Sequence, residues 1–504
     1  MKHLQPLIYA SLVAIGVYIG SANKNARDTV DSKLNNMLQM INEHYVDSVN
    51  YISFENDAIN AMLRELDPHS SYISTKDFKS IEEDMQGSFS GIGIEFNIIE
   101  DSIVVVSPIS GGPSEKLGIK SGDRIIRVEK KDVASTGIKN EEVIKILRGE
   151  KGSTVNIMIK RKGQHDLIPF KIVRDDIPLY SVDAGIMLNN NIGYIKISRF
   201  AATTYNEMMK KANMLLHNGM TKLILDFRGN PGGYLHVANQ ISDEFLKDKE
   251  LIVFTEGRNR SKKEIYATKK GLLENIKVIA LINEGSASAS EIVSGALQDN
   301  DRGVIIGRRS FGKGLVQEQI NLNDGSVVRL TTQRYFTPSG RCIQKAYGAN
   351  TKDYHLEQYT REDKSKQYPD SLKYTTKAGR VVYGGGGITP DIIIKRDPST
   401  NYTQINKIIG KGWVSEFCFE KSEKLKTLNY KDYSQIKTDA IYHDFVEYLF
   451  SKDKKLSLKL GPKEFNYLKN LLLADISRNL WGKDTYYKVL SIEDEYIQKA
   501  ITEF

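Results

Sequence analysis

Apolar residues recur along the chain at spacings that predict both helices and strands. Between residues 25 and 86 they return every three or four positions, as at Leu34 and Leu38, which predicts a small helical module. Residues 177–395 instead alternate short apolar runs of strand length with helical stretches, a pattern that favours an α/β core. Further helical runs in residues 396–504 predict a carboxyl-terminal helical region, which we expect to pack on the core or on a second subunit.

The amino terminus has the pattern of an export signal. Lys2 precedes an uncharged, largely apolar stretch at residues 4–22 that ends in small residues. This run is near the lower limit for crossing a bilayer and ends like a cleavage site, so a cleaved signal peptide and a retained anchor both fit residues 1–24. A buried amino-terminal helix is the alternative without export.

Composition narrows the class of protein. The 504 residues, 40% of them hydrophobic, are enough for several packed cores. The net charge of +8 is spread along the chain and not gathered into a basic stripe, so we expect no nucleic-acid partner. Cys342 and Cys418 could form at most one disulfide and match no metal or redox spacing, and the eight histidines show no zinc-protease spacing. We therefore expect no metal and no cofactor.

A glycine-rich run stands before one predicted strand. In the run Gly91, Ile92, Gly93 and Ile94, the glycines let successive amides converge with no side chain in the way. A tight turn is the structural alternative for this run by itself. Together with the strands and helices that follow, residues 87–174 resemble a PDZ domain, in which such a loop binds the terminal carboxylate of a peptide and the adjoining strand edge pairs with that peptide.

A second glycine-rich turn, at residues 228–233, joins a predicted strand to a predicted helix. Gly232 and Gly233 permit unusual backbone angles, and amides at the start of a helix favour bound negative charge. A plain connector between strand and helix is the alternative explanation of this turn.

Ser288 is the candidate nucleophile. It lies in a run of small residues, three positions before Glu291 at the start of a predicted helix. That is the spacing of a helix capping box, in which Ser288 would only accept an amide hydrogen bond. The same geometry suits catalysis, because a hydroxyl at a helix start feels the positive end of the dipole and the Ala289 amide points where an oxyanion would form. The presence of a base distinguishes the two roles.

Lys313, in a turn flanked by glycines, is the candidate base. A lysine can take the proton of Ser288 only when burial makes it neutral, and lowering its pKa by roughly three units from about 10.4 costs about 4 kcal/mol. Gln317 lies four residues on, a separation that puts both side chains on one side of a strand or a helix. Its side-chain carbonyl could then orient the lysine amino group.

Other functions fit parts of the same sequence. Residues 307–314 nearly match a phosphate-binding loop, but Gly314 stands where a serine or threonine would hold magnesium, and an exported protein has no ATP supply. His236, near the glycine turn, could serve as the base of a histidine-based serine protease, although a histidine at this place in a helix is more often a packing residue. A peptide-binding scaffold without catalysis would need neither Lys313 nor the glycine turn.

The motifs occur in an order that resembles the carboxyl-terminal processing, or tail-specific, serine proteases. The resemblance covers residues 63–391 and includes a glycine run that closes with Asp391. It implies a serine endopeptidase that works through an acyl-enzyme intermediate. The nucleophile, base and orienting group implied by the resemblance are Ser288, Lys313 and Gln317. The implied oxyanion hole comes from the amides of Ala289 and of Gly232 or Gly233.

The resemblance also implies an architecture and a way of recognising substrates. The core is expected to be crotonase-like, built of repeated β-β-α units, and the PDZ domain to sense the carboxyl-terminal tail of a protein substrate and gate the site. Arg148 falls at a position linked to that gating, and an exposed arginine before a helix-stopping glycine is the alternative. With the export signal, the resemblance places the protein in the bacterial periplasm or cell envelope, released or anchored to the inner membrane, and a homodimer is one assembly that it allows.

We therefore predict an α/β multidomain protein in five parts. These are a signal peptide or membrane anchor (residues 1–24), a helical module (25–86), an inserted PDZ domain (87–175), a serine protease core (176–395) and a carboxyl-terminal helical region (396–504). Residues 349–383 are polar, charged and rich in tyrosine, and we expect a surface insertion or a strand pair with long connections there.

Overall fold

The computed structural model describes most of the chain in six ranges: 28–269, 271–347, 351–360, 369–428, 430–456 and 458–504. The predicted signal or anchor segment, residues 1–24, lies outside these ranges. In the part of the chain that is described, no helix is both long and apolar enough to cross a membrane. The chain forms two compact units that divide between Tyr72 and Ile73.

The helices and strands are named here in chain order. The α-helices are α1 (Asp28–His44), α2 (Tyr51–Arg64), α3 (Thr75–Gln86), α4 (Pro113–Lys116), α5 (Asn140–Leu147), α6 (Thr204–His217), α7 (Leu235–Asp243), α8 (Ala289–Asp299), α9 (Thr351–Thr360), α10 (Thr403–Gly410), α11 (Trp413–Leu425), α12 (Thr438–Lys452), α13 (Pro462–Trp481), α14 (Lys483–Leu490) and α15 (Glu495–Glu503). The strands are β1 (Ser71–Ile73), β2 (Ser88–Gly91), β3 (Ile94–Ile99), β4 (Ser102–Pro108), β5 (Arg124–Val128), β6 (Lys131–Asp132), β7 (Thr154–Lys160), β8 (Ile168–Val173), β9 (Asp175–Pro178), β10 (Val182–Met187), β11 (Ile192–Ile197), β12 (Lys222–Asp226), β13 (Leu251–Gly257), β14 (Arg260–Tyr266), β15 (Lys277–Ile282), β16 (Gly303–Gly307), β17 (Leu315–Asn321), β18 (Val327–Phe336), β19 (Lys373–Thr375), β20 (Val381–Tyr383) and β21 (Ile392–Ile393).

The first unit contains α1 and α2, so the helices predicted from the apolar spacing are confirmed. Asn50 caps α2 by accepting a hydrogen bond from the Ser53 amide at 3.2 Å. The recurring apolar positions do not all become core, because Leu63 is buried whereas Leu34 and Met62 are exposed. A period of three to four residues predicts a helix, but the partner that buries its apolar face is a matter of tertiary structure.

The PDZ resemblance is matched by an antiparallel sheet in strand order β3, β4, β5, β7, β8. Inward residues such as Ile103, Ile125 and Ile157 form its core. The helix α5 covers this core with Val143 and Leu147, which are buried four residues apart on one helical face. Strand β3 is the end strand of this order, so its outer edge is where a peptide could add to the sheet.

The predicted α/β core contains a six-stranded sheet in the order β10, β11, β12, β15, β16, β21. Strand β10 is antiparallel to β11, and the following neighbours are parallel. Alternate residues of β12 and β15 face opposite sides, as a strand requires, so that Leu223 and Ala280 pack with α6, α7 and α8, whereas Ile224 and Ile279 pack with α15. Helices thus cover both faces of the parallel sheet, and a separate antiparallel arrangement joins β17, β18, β13 and β14.

The carboxyl-terminal region has its own helical core. Phe417 of α11, Phe445 of α12 and Leu472 of α13 are among its buried residues. Phe419 of α11 instead packs with Ile99 and Val104 on the outer face of the PDZ sheet. We expected this region to pack on the α/β core, and α15 does so through Tyr496, Ile497 and Ala500.

The predicted mixed α/β class is confirmed, with the smaller antiparallel sheet, the six-stranded sheet and helices at both ends of the described chain. In the polar stretch at residues 349–383 the expected strand pair exists as β19 with β20, but the structure adds α9, which sequence patterns did not predict. The exact limits of the five predicted parts stay a prediction.

A buried ion pair, which sequence patterns also did not predict, closes the end of α8. Arg341 Nη2 lies 2.6 Å from Asp299 Oδ1, and both side chains are 0% exposed. Arg341 also donates to the Gln298 side-chain oxygen and to the Tyr383 carbonyl, each at 2.8 Å. Such a pair is costly to break on one side, because the remaining charge stays buried.

We expect Arg341→Met to lower the free energy of unfolding by about 3–5 kcal/mol, because Asp299 would keep a buried charge without its partner. Urea unfolding of the purified protein measures this loss. Lys377→Ala serves as the matched control, since Lys377 forms an exposed pair with Glu250 that is worth about 0–1 kcal/mol. Equal stability of the two variants would contradict the prediction, and the double variant Asp299→Leu with Arg341→Met should recover part of the loss.

Candidate active site

Three turns meet at one edge of the six-stranded sheet. Strands β12, β15 and β16 are parallel neighbours, so the segments that follow them leave the sheet at the same end. These segments are the glycine turn, the small-residue run and the lysine turn. Their positions in sequence are far apart, and the parallel strands bring them together.

The glycine turn is bonded directly to the start of α8. The Asn230 carbonyl accepts from the Ala287 amide at 2.9 Å and from Ser290 Oγ at 3.0 Å. A Cβ at Gly232 would lie 2.8 Å from Ser288 Cβ and 2.9 Å from the Ala289 nitrogen, and Gly232 has φ +100°. A side chain at this position would therefore collide with the candidate nucleophile, which explains the glycine.

Ser288 occupies the residue before the first turn of α8, in a rare backbone conformation. Its φ of 54° and ψ of −112° are unusual for a residue with a side chain and require support from the surrounding structure. The Ser288 amide donates to Glu291 Oε2 at 2.8 Å, so the backbone half of the predicted capping box is present. Ser288 thus takes part in the helix cap and is only half-buried at the helix start, so the two predicted roles are compatible.

Glu291 connects the candidate nucleophile to the lysine turn. Its Oε2 also accepts from the Lys313 amide at 2.9 Å, while Oε1 accepts from the Gly312 amide at 2.7 Å and from Ser310 Oγ at 2.5 Å. Two amides that share one acceptor oxygen must be close neighbours, so this carboxylate holds the backbones of Ser288 and Lys313 side by side. Burial raises the pKa of Glu291 above its ordinary value, although these hydrogen bonds oppose that shift.

The side chains of Lys313 and Gln317 meet as their spacing predicts. Lys313 Nζ donates to Gln317 Oε1 at 2.9 Å. Gln317 lies in β17, so the extended alternative is the correct one for this segment. The lysine turn is further tied to the serine run, because the Phe311 amide donates to the Ser286 carbonyl at 2.9 Å.

The predicted peptide-binding run lies in the PDZ domain and not at the edge where the three turns meet. Gly91, Ile92 and Gly93 are buried and Ile94 is half-buried at the start of β3. Arg148 ends α5, where its Nη1 lies 3.1 Å from Glu83 Oε2 and its guanidinium lies 4.1 Å from the centre of the Phe89 ring. Arg148 therefore links the PDZ domain to α3. The alternative, an exposed arginine before a helix-stopping glycine, does not account for these contacts.

Other candidate residues lie in ordinary environments. His236 is exposed on α7, and its ring centre lies 5.1 Å from that of Tyr234. Cys342 and Cys418 are free thiols. Among the residues that the structure describes, no group of three or more histidine, cysteine, aspartate or glutamate side chains could hold a metal ion.

Sequence patterns missed several residues that build the site. Ser286, which is fully buried, donates to the Phe227 carbonyl at 2.8 Å and so joins the small-residue run to the end of β12. For Glu291 the sequence predicted only the capping interaction with Ser288, which is one of the four hydrogen bonds that its carboxylate accepts. A glutamate among the small and apolar residues at the start of a predicted helix is the signal that could have revealed the others, because a carboxylate buried there needs donors from another segment.

The chain was compared with known proteins. A sequence model of peptidase family S41 matches residues 191–356, and one of the PDZ domain matches residues 90–172. A carboxy-terminal-processing protease of Bartonella bacilliformis is 36% identical over 340 residues, which cover 66% of this chain and 77% of that protein. The chain belongs to peptidase family S41.

Other relatives of this S41 protease carry similar names. Carboxy-terminal processing protease CtpA of Bacillus subtilis is 36% identical over 328 residues, covering 65% of this chain and 69% of the relative. A solved photosystem II D1 C-terminal processing protease is 24% identical and covers 71% of this chain and 91% of its own, with a TM-score of 0.37. The protein is thus a carboxy-terminal processing serine protease with a PDZ domain.

We expect Glu291→Gln to destabilise the protein and to slow labelling of the serine by a fluorophosphonate. Whichever way the amide is turned, its NH₂ group faces two of the four donors, and each buried donor left unsatisfied costs about 1–3 kcal/mol. Urea unfolding and the rate of labelling measure the two effects. Glu318→Gln, at an exposed pair with Arg260, is the control and should change little. Wild-type stability and labelling in Glu291→Gln would show that the carboxylate does not hold the two segments.

Proposed function

We propose that this S41 protease is an exported endopeptidase that captures the carboxyl-terminal tail of a protein substrate with its PDZ domain. It cleaves peptide bonds with Ser288 as nucleophile, Lys313 as general base and Gln317 as the group that orients the lysine. One observation carries this proposal: a single buried carboxylate, that of Glu291, binds the backbone amides of both Ser288 and Lys313.

In the first step Lys313 Nζ takes the proton of Ser288 Oγ while that oxygen bonds to the substrate carbonyl carbon. The carbonyl oxygen becomes a tetrahedral oxyanion. The Gln317 side-chain oxygen accepts a hydrogen bond from Nζ, which fixes the direction of the amino group. The protonated lysine then gives its proton to the leaving amine, the peptide C–N bond breaks, and an ester on Ser288 remains.

The oxyanion is stabilised by backbone amides. Ala289 follows the nucleophile at the start of α8, where the amide and the helix dipole both favour negative charge. For the second donor, the Gly232 amide already donates to Asn230 Oδ1 at 2.8 Å, so the arrangement favours Gly233. The sequence had left Gly232 and Gly233 as alternatives for this second donor.

In the second step water replaces the amine. Lys313 removes a proton from the water as its oxygen attacks the ester carbon, and the same two amides stabilise the new oxyanion. The Ser288–acyl bond then breaks, Ser288 recovers its proton from the lysine, and the product carboxylate leaves.

The carboxylate-binding role of the PDZ loop has support from the directions of its peptide groups. The Ile92 carbonyl accepts from the Ser114 amide and hydroxyl, and the Gly93 carbonyl accepts from the Ile109 amide. In a planar trans peptide the N–H points opposite to the C=O, so the amides of Gly93 and Ile94 point away from these donors. Two successive amides that point away from the domain's own donors suit a terminal carboxylate beside the edge of β3.

A gating role for Arg148 is supported by its ion pair with Glu83 of α3, which lies outside the predicted PDZ domain, because movement of the domain away from α3 would have to break this pair. Export is supported by the pattern of residues 1–24. Placement in the periplasm or at the inner membrane, and a homodimer, stay predictions.

We expect Ser288→Ala and Lys313→Ala each to lower kcat by about 10³-fold or more on an unfolded protein with an apolar tail, because either change removes proton transfer to the base. In the wild type the rate should fall as the pH drops and the lysine becomes protonated. Cleavage followed across a pH series measures both effects. Lys373→Ala, at an exposed position on β19, is the control. Full activity of either site variant would exclude the pair.

We expect a substrate whose terminal carboxylate is replaced by an amide to have a raised KM, because it lacks the charge that the Gly93 and Ile94 amides would bind. The loss should be about tenfold, as for one good charge-assisted hydrogen bond. Paired peptides that differ only at this terminus make the comparison. Equal cleavage of both would leave strand-edge pairing as the mode of capture or remove tail sensing altogether.

A further inference from the structure

Helix α15 contacts the residues that begin the glycine turn and the lysine turn. Helix α15 packs on the sheet face opposite α8, where Tyr496, Ile497 and Ala500 contact residues such as Tyr194 and Leu281. Sequence patterns gave this region no role in the site. Its first turn contributes two side chains, Asp494 and Tyr496, that contact residues next to the glycine and lysine turns.

Asp494 carries out two tasks with one carboxylate. It caps α15, because Oδ1 accepts from the Tyr496 amide at 3.0 Å and from the Ile497 amide at 3.2 Å. Both oxygens also bind Arg228, with Nη1 to Oδ1 at 3.0 Å and Nη2 to Oδ2 at 2.8 Å. This bidentate pairing fixes the plane of the guanidinium as well as its position.

Arg228 is the first residue of the glycine turn, and its backbone and side chain are held from several directions. Its guanidinium binds the fully buried Asp226 with Nε to Oδ1 at 3.0 Å and Nη2 to Oδ2 at 2.7 Å. Its carbonyl accepts from Lys196 Nζ at 2.5 Å. The turn that begins here supplies Gly233, so the position of Arg228 bears on the oxyanion hole.

The ring of Tyr496 lies close to two guanidinium groups. Its ring centre is 4.6 Å from Arg228 Cζ and 5.3 Å from Arg308 Cζ. Arg308 directly follows β16 and begins the segment that leads to Lys313. A single aromatic ring therefore contacts the start of the glycine turn and the start of the lysine turn. The Tyr496 hydroxyl is buried and has no hydrogen-bond partner among the described residues, so the ring carries this contact.

We propose that Asp494 and Tyr496 are positioning residues for catalysis, which hold Arg228 and Arg308 and thereby set the glycine turn against the lysine turn. This inference rests on the proposed function, because it assumes that these turns supply the oxyanion hole and the base. The carboxyl-terminal helix is then a structural part of the active site, although it touches no reacting atom.

Asp494→Asn is the first test. Asparagine caps a helix as well as aspartate does, but it removes the charge that pairs with Arg228. We expect kcat to fall by about 10- to 100-fold with little change in KM, since a small displacement of the oxyanion turn affects the transition state and not substrate capture. Affinity for a peptide aldehyde, whose hemiacetal oxygen occupies the oxyanion hole, should fall by a similar factor, and Asp494→Glu should recover part of both losses.

Asp484→Asn is the matched control for Asp494→Asn. It also removes the charge of an aspartate in the carboxyl-terminal region that pairs with the core, but its partner is Lys211 at 2.8 Å and not a residue of the glycine turn. We expect its kcat and aldehyde affinity to equal those of the wild type. A kcat loss as large as in Asp494→Asn would mean that attachment of the region, and not Arg228, is responsible, and it would overturn the inference.

Tyr496→Leu and Tyr496→Phe form a second, independent pair. Phenylalanine keeps the ring in contact with both arginines, so its kcat should match the wild type, whereas leucine removes the ring and should lower kcat with KM unchanged. Equal kcat values for the two variants would overturn the role given to Tyr496, and a wild-type kcat in Asp494→Asn would overturn that of Asp494. A wild-type protein that neither cleaves unfolded protein nor reacts with a fluorophosphonate would instead exclude the proposed function itself.

Discussion

The candidate active site depends on one buried carboxylate. Glu291 lies inside the protein with no exposed surface, and it accepts hydrogen bonds from the Ser288 amide, from two amides of the lysine turn and from Ser310. A buried charge without donors would be very costly, so the folded state must bring these groups to it. The same requirement that stabilises the fold therefore also sets the distance between the candidate nucleophile and its base.

A second charged network supports the opposite side of the site. Burial by itself would raise the pKa of Asp226, but Arg228 and Lys196 outweigh that effect and hold it below its ordinary value. Asp494 extends the network to the last helix through Arg228. The turns of the candidate site are thus held from both faces of the sheet, by Glu291 in the first turn of α8 and by Asp494, which caps α15.

The PDZ domain is held on two sides by other parts of the chain. Arg148 connects the end of α5 to Glu83 of α3, and Arg478 of the carboxyl-terminal region pairs with Glu95 of β3 at 2.7 Å. Glu95 belongs to the strand that would pair with a substrate tail. The Arg148–Glu83 pair is half-buried, whereas the Arg478–Glu95 pair is exposed. An exposed pair is individually weak, so the Arg478–Glu95 pair is suited to a contact that forms and breaks as a domain changes position.

The sequence by itself determined the local elements and the short-range pairs. The alternation of strands and helices predicted for residues 177–395 is present, and the pairs Ser288 with Glu291 and Lys313 with Gln317 follow from separations of three and four residues. Such features depend on neighbours within one turn or one strand, which hydrophobic period and spacing record directly.

Only the tertiary structure decided which distant segments meet. The parallel order of β12, β15 and β16 places three turns at one edge of the sheet, and the carboxylate of Glu291 then joins the small-residue run to the lysine turn. The tertiary structure also joins Asp494 to Arg228, residues that share no local pattern. These contacts arise from the packing of whole strands and helices, which the spacing of residues along the chain does not record.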